Sequence, residues 1–224
     1  VIIIETLAHK LAEKIALQLE YDEDKKAVIA YGLIAILQMI TIFIIITAIG
    51  LIFDFWFESM IIFMGVGLIR KSTGGAHAKT MNGCIIISVL SVTMLSALSR
   101  YLFGLPVNIY INLAVTIFIF MISFIIFYLR VPVDSPNKPI VKPEKIKRLR
   151  KQSFILLTLF FMMTVAAIVL TTSSYQRFYS IAVSLRFTIL WQLLTLTKSG
   201  ALLLGKIDSQ ITRILEKEKS LSKV

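Results

Sequence analysis

The chain has 224 residues, 57% of them Ala, Val, Ile, Leu, Met, Phe, Trp, Tyr or Cys, and only 17% charged, with 24 Lys and Arg against 13 Asp and Glu for a net charge of +11. A soluble domain of this size is roughly 45–50% apolar and about 25% charged, so the composition excludes an ordinary soluble domain and equally a disordered chain, which is poor in apolar residues. One cysteine excludes an internal disulfide framework or a cysteine-rich zinc module, and with His9 and His77 the only histidines little material remains for a metal site; no cofactor is implied.

The first 26 residues place Leu7, Leu11, Ile15 and Leu19 every four positions, while His9, Lys10, Glu13, Lys14 and Glu20 fall mainly elsewhere around the helix. This predicts an amphipathic helix, lying along the cytoplasmic membrane surface or packed on a neighbouring subunit or loop. A spanning helix needs about 20 mainly apolar residues. Such runs occur at 27–53, 55–69, 80–99, 107–129, 153–176 and 178–205, giving about six transmembrane helices. The first is far too long for the apolar region of a cleavable signal peptide. The second is short and broken by Glu58, and Gly104, Pro106 and Asn108 mark a turn before the fourth. The sixth carries Arg186 and Lys198, and two re-entrant pieces are the alternative to one span.

Short cytoplasmic loops hold the excess of basic residues. With alternating sides, segments facing one way carry 21 of the 24 Lys and Arg, and those facing the other carry three. The expected architecture is therefore an all-α integral membrane protein with both termini cytoplasmic. A single membrane domain spans 27–205, with a loop of chemical interest at 70–84 and a basic loop at 130–151. Residues 206–224 read as a cytoplasmic tail.

Within 70–84 stand the only cysteine, one of the two histidines and three glycines, among Arg70, Lys71 and Lys79. Taken singly, Cys84 reads as a small hydrophobe and His77 as an interfacial side chain; their conjunction beside Gly74-Gly75 favours chemistry. The thiolate, not the thiol, is the nucleophile, and a nearby imidazole can take the thiol proton. In one unbroken helix these two residues would stand about 10.5 Å apart at ~1.5 Å per residue. Direct proton transfer needs about 2.6–3.2 Å, or one bridging water. If both are catalytic, the backbone between them is not a regular helix, and Gly74-Gly75 and Asn82-Gly83 supply two places to bend. Irregular backbone at membrane depth requires cover by protein or a water cavity, which points to a pocket recessed from the cytoplasmic face.

The pattern Arg70-x4-Gly75-x-His77-Ala78-x5-Cys84, after two spans, resembles the accessory gene regulator B family (AgrB) of bacterial quorum sensing. Pro132-Val133-Asp134-Ser135-Pro136-Asn137-Lys138-Pro139 is similar to a cytoplasmic loop of those proteins, and the likeness runs from about residue 5 to about residue 200. The resemblance implies a cysteine endopeptidase of the bacterial cell membrane, with Cys84 as nucleophile and His77 as general base. It also implies an AgrD-like propeptide as substrate, cut and closed to a thiolactone or lactone ring. Arg70 and Gly75 match supporting positions of the motif.

Lys138, Lys142, Lys145, Lys147, Arg148, Arg150 and Lys151 are opposed only by Glu144. They read as topogenic charge on anionic lipid, or as a guide for the acidic propeptide tail that the family implies. They hug spans and lack an aromatic-lined domain, so nucleic acid is not an expected partner. A homodimer would give cover to short helices with buried polar groups. The rival class is a small transporter or peptide exporter with Arg186 and Lys198 as substrate contacts.

Overall fold

The computed structural model describes residues 2–78, 80–103, 108–133, 142–171 and 176–221. These form eight helices: α1 (Ile2–Gln18), α2 (Glu23–Ile52), α3 (Trp56–Thr73), α4 (Met81–Phe103), α5 (Ile109–Arg130), α6 (Pro143–Thr171), α7 (Gln176–Leu196) and α8 (Lys198–Leu221). The all-α expectation holds. Five of them, α2, α4, α5, α6 and α7, contain segments long and apolar enough to cross a membrane. The short second run becomes α3, 18 residues with Glu58, Arg70 and Lys71 in its sequence, and these charges keep it from joining those five. Its length is about 27 Å at 1.5 Å per residue, and it packs against α2, α4, α6 and α7.

The centre of the fold is α7, which touches α3, α4, α5, α6 and α8. Ser180, Ser184, Thr188, Gln192 and Thr195 recur along it every three or four residues, and all are buried. In lipid the solvent is as apolar as a leucine side chain, so close backbone approach and polar contacts join helices where the hydrophobic effect cannot. Ser99 and Ser184 hydroxyls meet at 2.8 Å, coupling α4 to α7, and Ser180 donates to buried Glu58 on α3. Ile69, Phe120, Phe127, Leu157, Leu185 and Ile189 fill the space around this stripe. The outward faces are apolar, with Ile44, Phe118, Ile125, Leu159 and Met162 each about half exposed or more. That is the inverse of a water-soluble surface.

Several boundaries differ from the sequence reading. On α1 the residues buried are Ala8, Ala12 and Ala16, while Leu7 and Leu11 remain exposed. Since α1 packs on α2, the small alanines serve that contact and the leucine stripe is left outward. The fifth run begins ten residues early, because Pro143 opens α6 and much of the basic loop is its first turns; proline is pre-set for the first helical position. The sixth run is two helices, and the boundary expected at 205 falls inside α8. Thr197 breaks it: its hydroxyl donates to Leu194 O at 2.8 Å and accepts from Gly200 N at 3.0 Å. A Cβ on Gly200 would lie 1.8 Å from Leu194 O, so the turn needs glycine there.

Arg186 is buried, its guanidinium donating to Ala182 O and Asn112 Oδ1, whereas Lys198 is exposed at the start of α8. Several polar groups that argued for a second copy as cover thus find partners inside the chain. Gly65 governs the α3–α7 contact, because a Cβ there would meet Thr188 Cγ2 at 2.8 Å and the Phe160 ring at 3.2 Å. Gly65→Val is expected to cost about 1–3 kcal/mol by overpacking, read as a lower unfolding temperature in detergent. Gly67→Val on the same helix, where a Cβ meets nothing within 4 Å, serves as its control.

Candidate active site

The last turn of α3 ends on two glycines with backbone that other residues rarely adopt, Gly74 at φ +70° and Gly75 at φ +126°. Gly74 N still donates to Arg70 O at 2.9 Å, closing the helix. Side chains are excluded twice over at these positions. A Cβ on Gly74 would fall on Val133 O, and one on Gly75 would lie 2.8 Å from Thr195 Oγ1. From here to Thr80 the described backbone is not helical, as expected if His77 and Cys84 work together.

This irregular piece is clamped from two directions. Val133 N donates to Thr73 O at 2.8 Å, and Ala76 N donates to Thr195 O at 2.8 Å. Gln192 Nε2, fully buried, donates to Thr73 Oγ1 at 2.8 Å and to Gly74 O at 2.9 Å. The two segments that carry the family resemblance therefore meet: Gly74 and Val133 pair as an isolated parallel bridge. Asp134 and Lys138, further along the second segment, lie outside the described residues.

Arg70, one turn before the break, reaches over it and donates to Ala76 O. Its charge acts on both Cys84 and His77, so one cation is the common neighbour of the two candidate catalytic groups. His77 is exposed at the surface, yet partial desolvation of the imidazole first, and the Arg70 charge second, push its pKa from 6.5 down to about 4. The ring is accordingly neutral in a cell and able to accept a proton. Cys84 is a free, half-buried thiol in the first turn of α4. No hydrogen bond among the described residues joins His77 to Cys84; such catalytic contacts are often long until substrate is bound.

The second expected bend is not one. Asn82 and Gly83 lie inside α4, and Gly83 is required for another reason: a Cβ there would stand 1.8 Å from Asp208 Oδ1. Thr80 caps the helix instead, its hydroxyl accepting from Gly83 N at 3.0 Å. Of the basic candidates, Lys142 is exposed just before α6, and Lys147 and Arg148 are exposed on its first turns with Lys145 half-buried. Arg150, half-buried, donates to Tyr128 O at 2.6 Å. Gln192, Thr195 and Asp208 are site residues that sequence reasoning missed. Gln192 left a legible signal, a long polar side chain in an apolar run that must find a partner. Asp208 left none, because its run reads as a tail.

Fold and loop together define an all-α, multi-pass membrane protein whose single thiol, one neutral histidine and one arginine are gathered at a glycine break. The family model for Accessory gene regulator B matches residues 8–196, and the chain belongs to that family. It is similar to AgrB-like protein 2 of Clostridium perfringens strain 13, with 32% identity over 213 residues, 95% of this chain and all of the relative. An AgrB-like protein of C. perfringens strain SM101 matches with the same identity and coverage. No solved structure matches. Membership ties the chain to the processing of a quorum-sensing propeptide.

With only two histidines in the chain, a proton NMR titration in detergent can follow both, and a His9→Gln variant assigns them. His77 is expected to titrate near pH 4, and Arg70→Gln to raise that midpoint without restoring it to 6.5, because desolvation, the larger cause, persists. An unmoved midpoint would separate Arg70 from the site. Gly75→Ala places a side chain at positive φ and against Thr195, costing about 1–3 kcal/mol of local strain. It should leave membrane insertion intact while abolishing propeptide processing, measured on the same vesicles.

Proposed function

We propose that the chain is a membrane-embedded cysteine endopeptidase that removes the C-terminal tail of an AgrD-like propeptide and promotes its closure to a thiolactone or lactone ring. The observation that carries this reading is the neutral His77 imidazole held in a non-helical loop beside Arg70, with Cys84 opening the next helix. His77 takes the proton from Cys84 Sγ, and the thiolate attacks the carbonyl carbon of the peptide bond. The C–N bond breaks, His77 returns the proton to the leaving amine, and the acyl group stays on Sγ as a thioester. A thiol or hydroxyl within the bound peptide then attacks that carbonyl, closes the ring and returns the Cys84 thiol. Excluding water favours this internal nucleophile over hydrolysis. Arg70 and the α4 N-terminus supply positive charge for the anions that form along the path. Lys142, Lys145, Lys147 and Arg148 at the start of α6, with Lys138, suit an acidic tail. The side that holds the basic stretch at the start of α6 faces the cytoplasm in this reading.

The transporter reading draws less support. Arg186 is engaged with Asn112 and Ala182 and stacks near Tyr179, which suits an internal strut better than a substrate contact. Cys84→Ser and His77→Ala in proteoliposomes with the cognate propeptide decide the matter. Each should lower tail release, read by mass spectrometry, by at least ~100-fold, within the range general-base catalysis contributes. Undiminished release by both variants would sink the peptidase. The sign of the pH dependence follows from the depressed histidine: the base is competent above its folded pKa, so release should persist at pH 5.5 and fail as pH drops through about 4.

A further inference from the structure

Asp208 lies on α8, beyond the 8–196 stretch that the family model matches, and only 3% of its surface is exposed. A buried carboxylate is costly unless hydrogen bonds compensate it, and here two come from one residue, Thr80. Thr80 N donates to Asp208 Oδ2 at 3.3 Å, and Thr80 Oγ1 donates to Asp208 Oδ1 at 2.5 Å. With its proton committed to the carboxylate, the Thr80 hydroxyl turns a lone pair toward α4 and accepts from Gly83 N. Cys84 N in turn donates to Thr80 O at 3.0 Å. The first four N–H groups of a helix have no partner within it, so the turn that carries the thiol is ordered from outside, through Thr80. Gly83 has no side chain where the carboxylate approaches. The hinge at Thr197 and Gly200 directs α8 back over this point, against α4 and α7.

We infer that Asp208 is a positioning residue for the Cys84 thiol, acting through Thr80, and that α8 is a working part of the active site rather than a tail. This rests on the peptidase reading. It differs from a simple tether of α8 because the Thr80 hydroxyl is the obligatory intermediary. Misplacing a reacting atom by about 1 Å can cost 10²-fold.

The experiment uses the full-length chain in proteoliposomes with the propeptide, comparing Asp208→Leu, Thr80→Val, their double variant and Thr80→Ser. Asp208→Leu and Thr80→Val should each lower kcat by ~10–100-fold with KM within ~3-fold. The double variant should be no slower than the worse single one, since coupled residues are not additive. Thr80→Ser, which keeps the hydroxyl, should restore most of the rate. Cys84 is the only cysteine, so maleimide labelling at fixed pH reads the thiol without a substrate. Labelling should slow ~5-fold or more in Asp208→Leu and Thr80→Val, and recover in Thr80→Ser. Unchanged kcat and labelling in the two disruptive variants would overturn the inference. So would failure of Thr80→Ser to recover either readout, the pattern of a structural tether alone. If wild type itself releases no tail, or Cys84→Ser releases as much, the peptidase reading falls and the labelling series alone judges the link from Asp208 to Cys84.

Discussion

The clamp on residues 73–76 is the constraint from which the rest of the site follows. A polypeptide that leaves helical geometry within an apolar bundle must find partners for its N–H and C=O groups, since each buried orphan costs about 1–3 kcal/mol. Thr195 O takes Ala76 N, Thr73 O takes Val133 N, and the Gln192 amide serves Gly74 O. With those groups satisfied, two glycines can turn the chain without a penalty that would pull it back into α3. His77 then sits across a break from Cys84 instead of two turns along one rod.

Satisfying the clamp dictates the character of α7. A helix that must supply Gln192 and Thr195 at one end, and meet Ser99 and Glu58 further along, is lined with small and polar residues where an ordinary span would be oily. Such a helix is unstable facing lipid and is therefore surrounded, with α3, α4, α5 and α6 against it. The burial of α7 and the existence of the loop are one arrangement. The oily outer faces of α2, α5 and α6 follow from what remains once the polar faces have turned inward.

The electrostatics of the site depend on one cation. Arg70 bonds the carbonyl of Ala76 and presents its charge to His77 and Cys84 alike. The same charge that helps hold the imidazole neutral thus lies near the thiol. A second anchor works at the other side of the break, where Thr80 and Asp208 hold the first turn of α4. The site is thus suspended between α3, α4, α7, α8 and the segment after α5.

By itself the sequence determined the class of molecule, most of its helices and the identity of the candidate chemistry. Uninterrupted apolar runs of 20 or more residues have one stable form in lipid, so α2 and α5 were legible to within a few residues. The Gly74-Gly75 break was legible too, because a spacing of seven and a reaction distance cannot both hold along one helix. What escaped were features whose cause lies far along the chain. Gly83 looks like a hinge until Asp208, 125 positions later, is seen to occupy the place of its side chain. The alanine face of α1 goes unread until Ala8, Ala12 and Ala16 are seen buried. The choice between one last span and two pieces stays open until Thr197 and Gly200 turn the chain. Periodicity reports what a segment requires of its surroundings but not which residues provide it. Only the tertiary structure decided that Gln192 and Thr195 hold the loop and that Asp208 reaches the first turn of α4, because a buried hydrogen bond is specified by two partners and the sequence around either one describes only half of it.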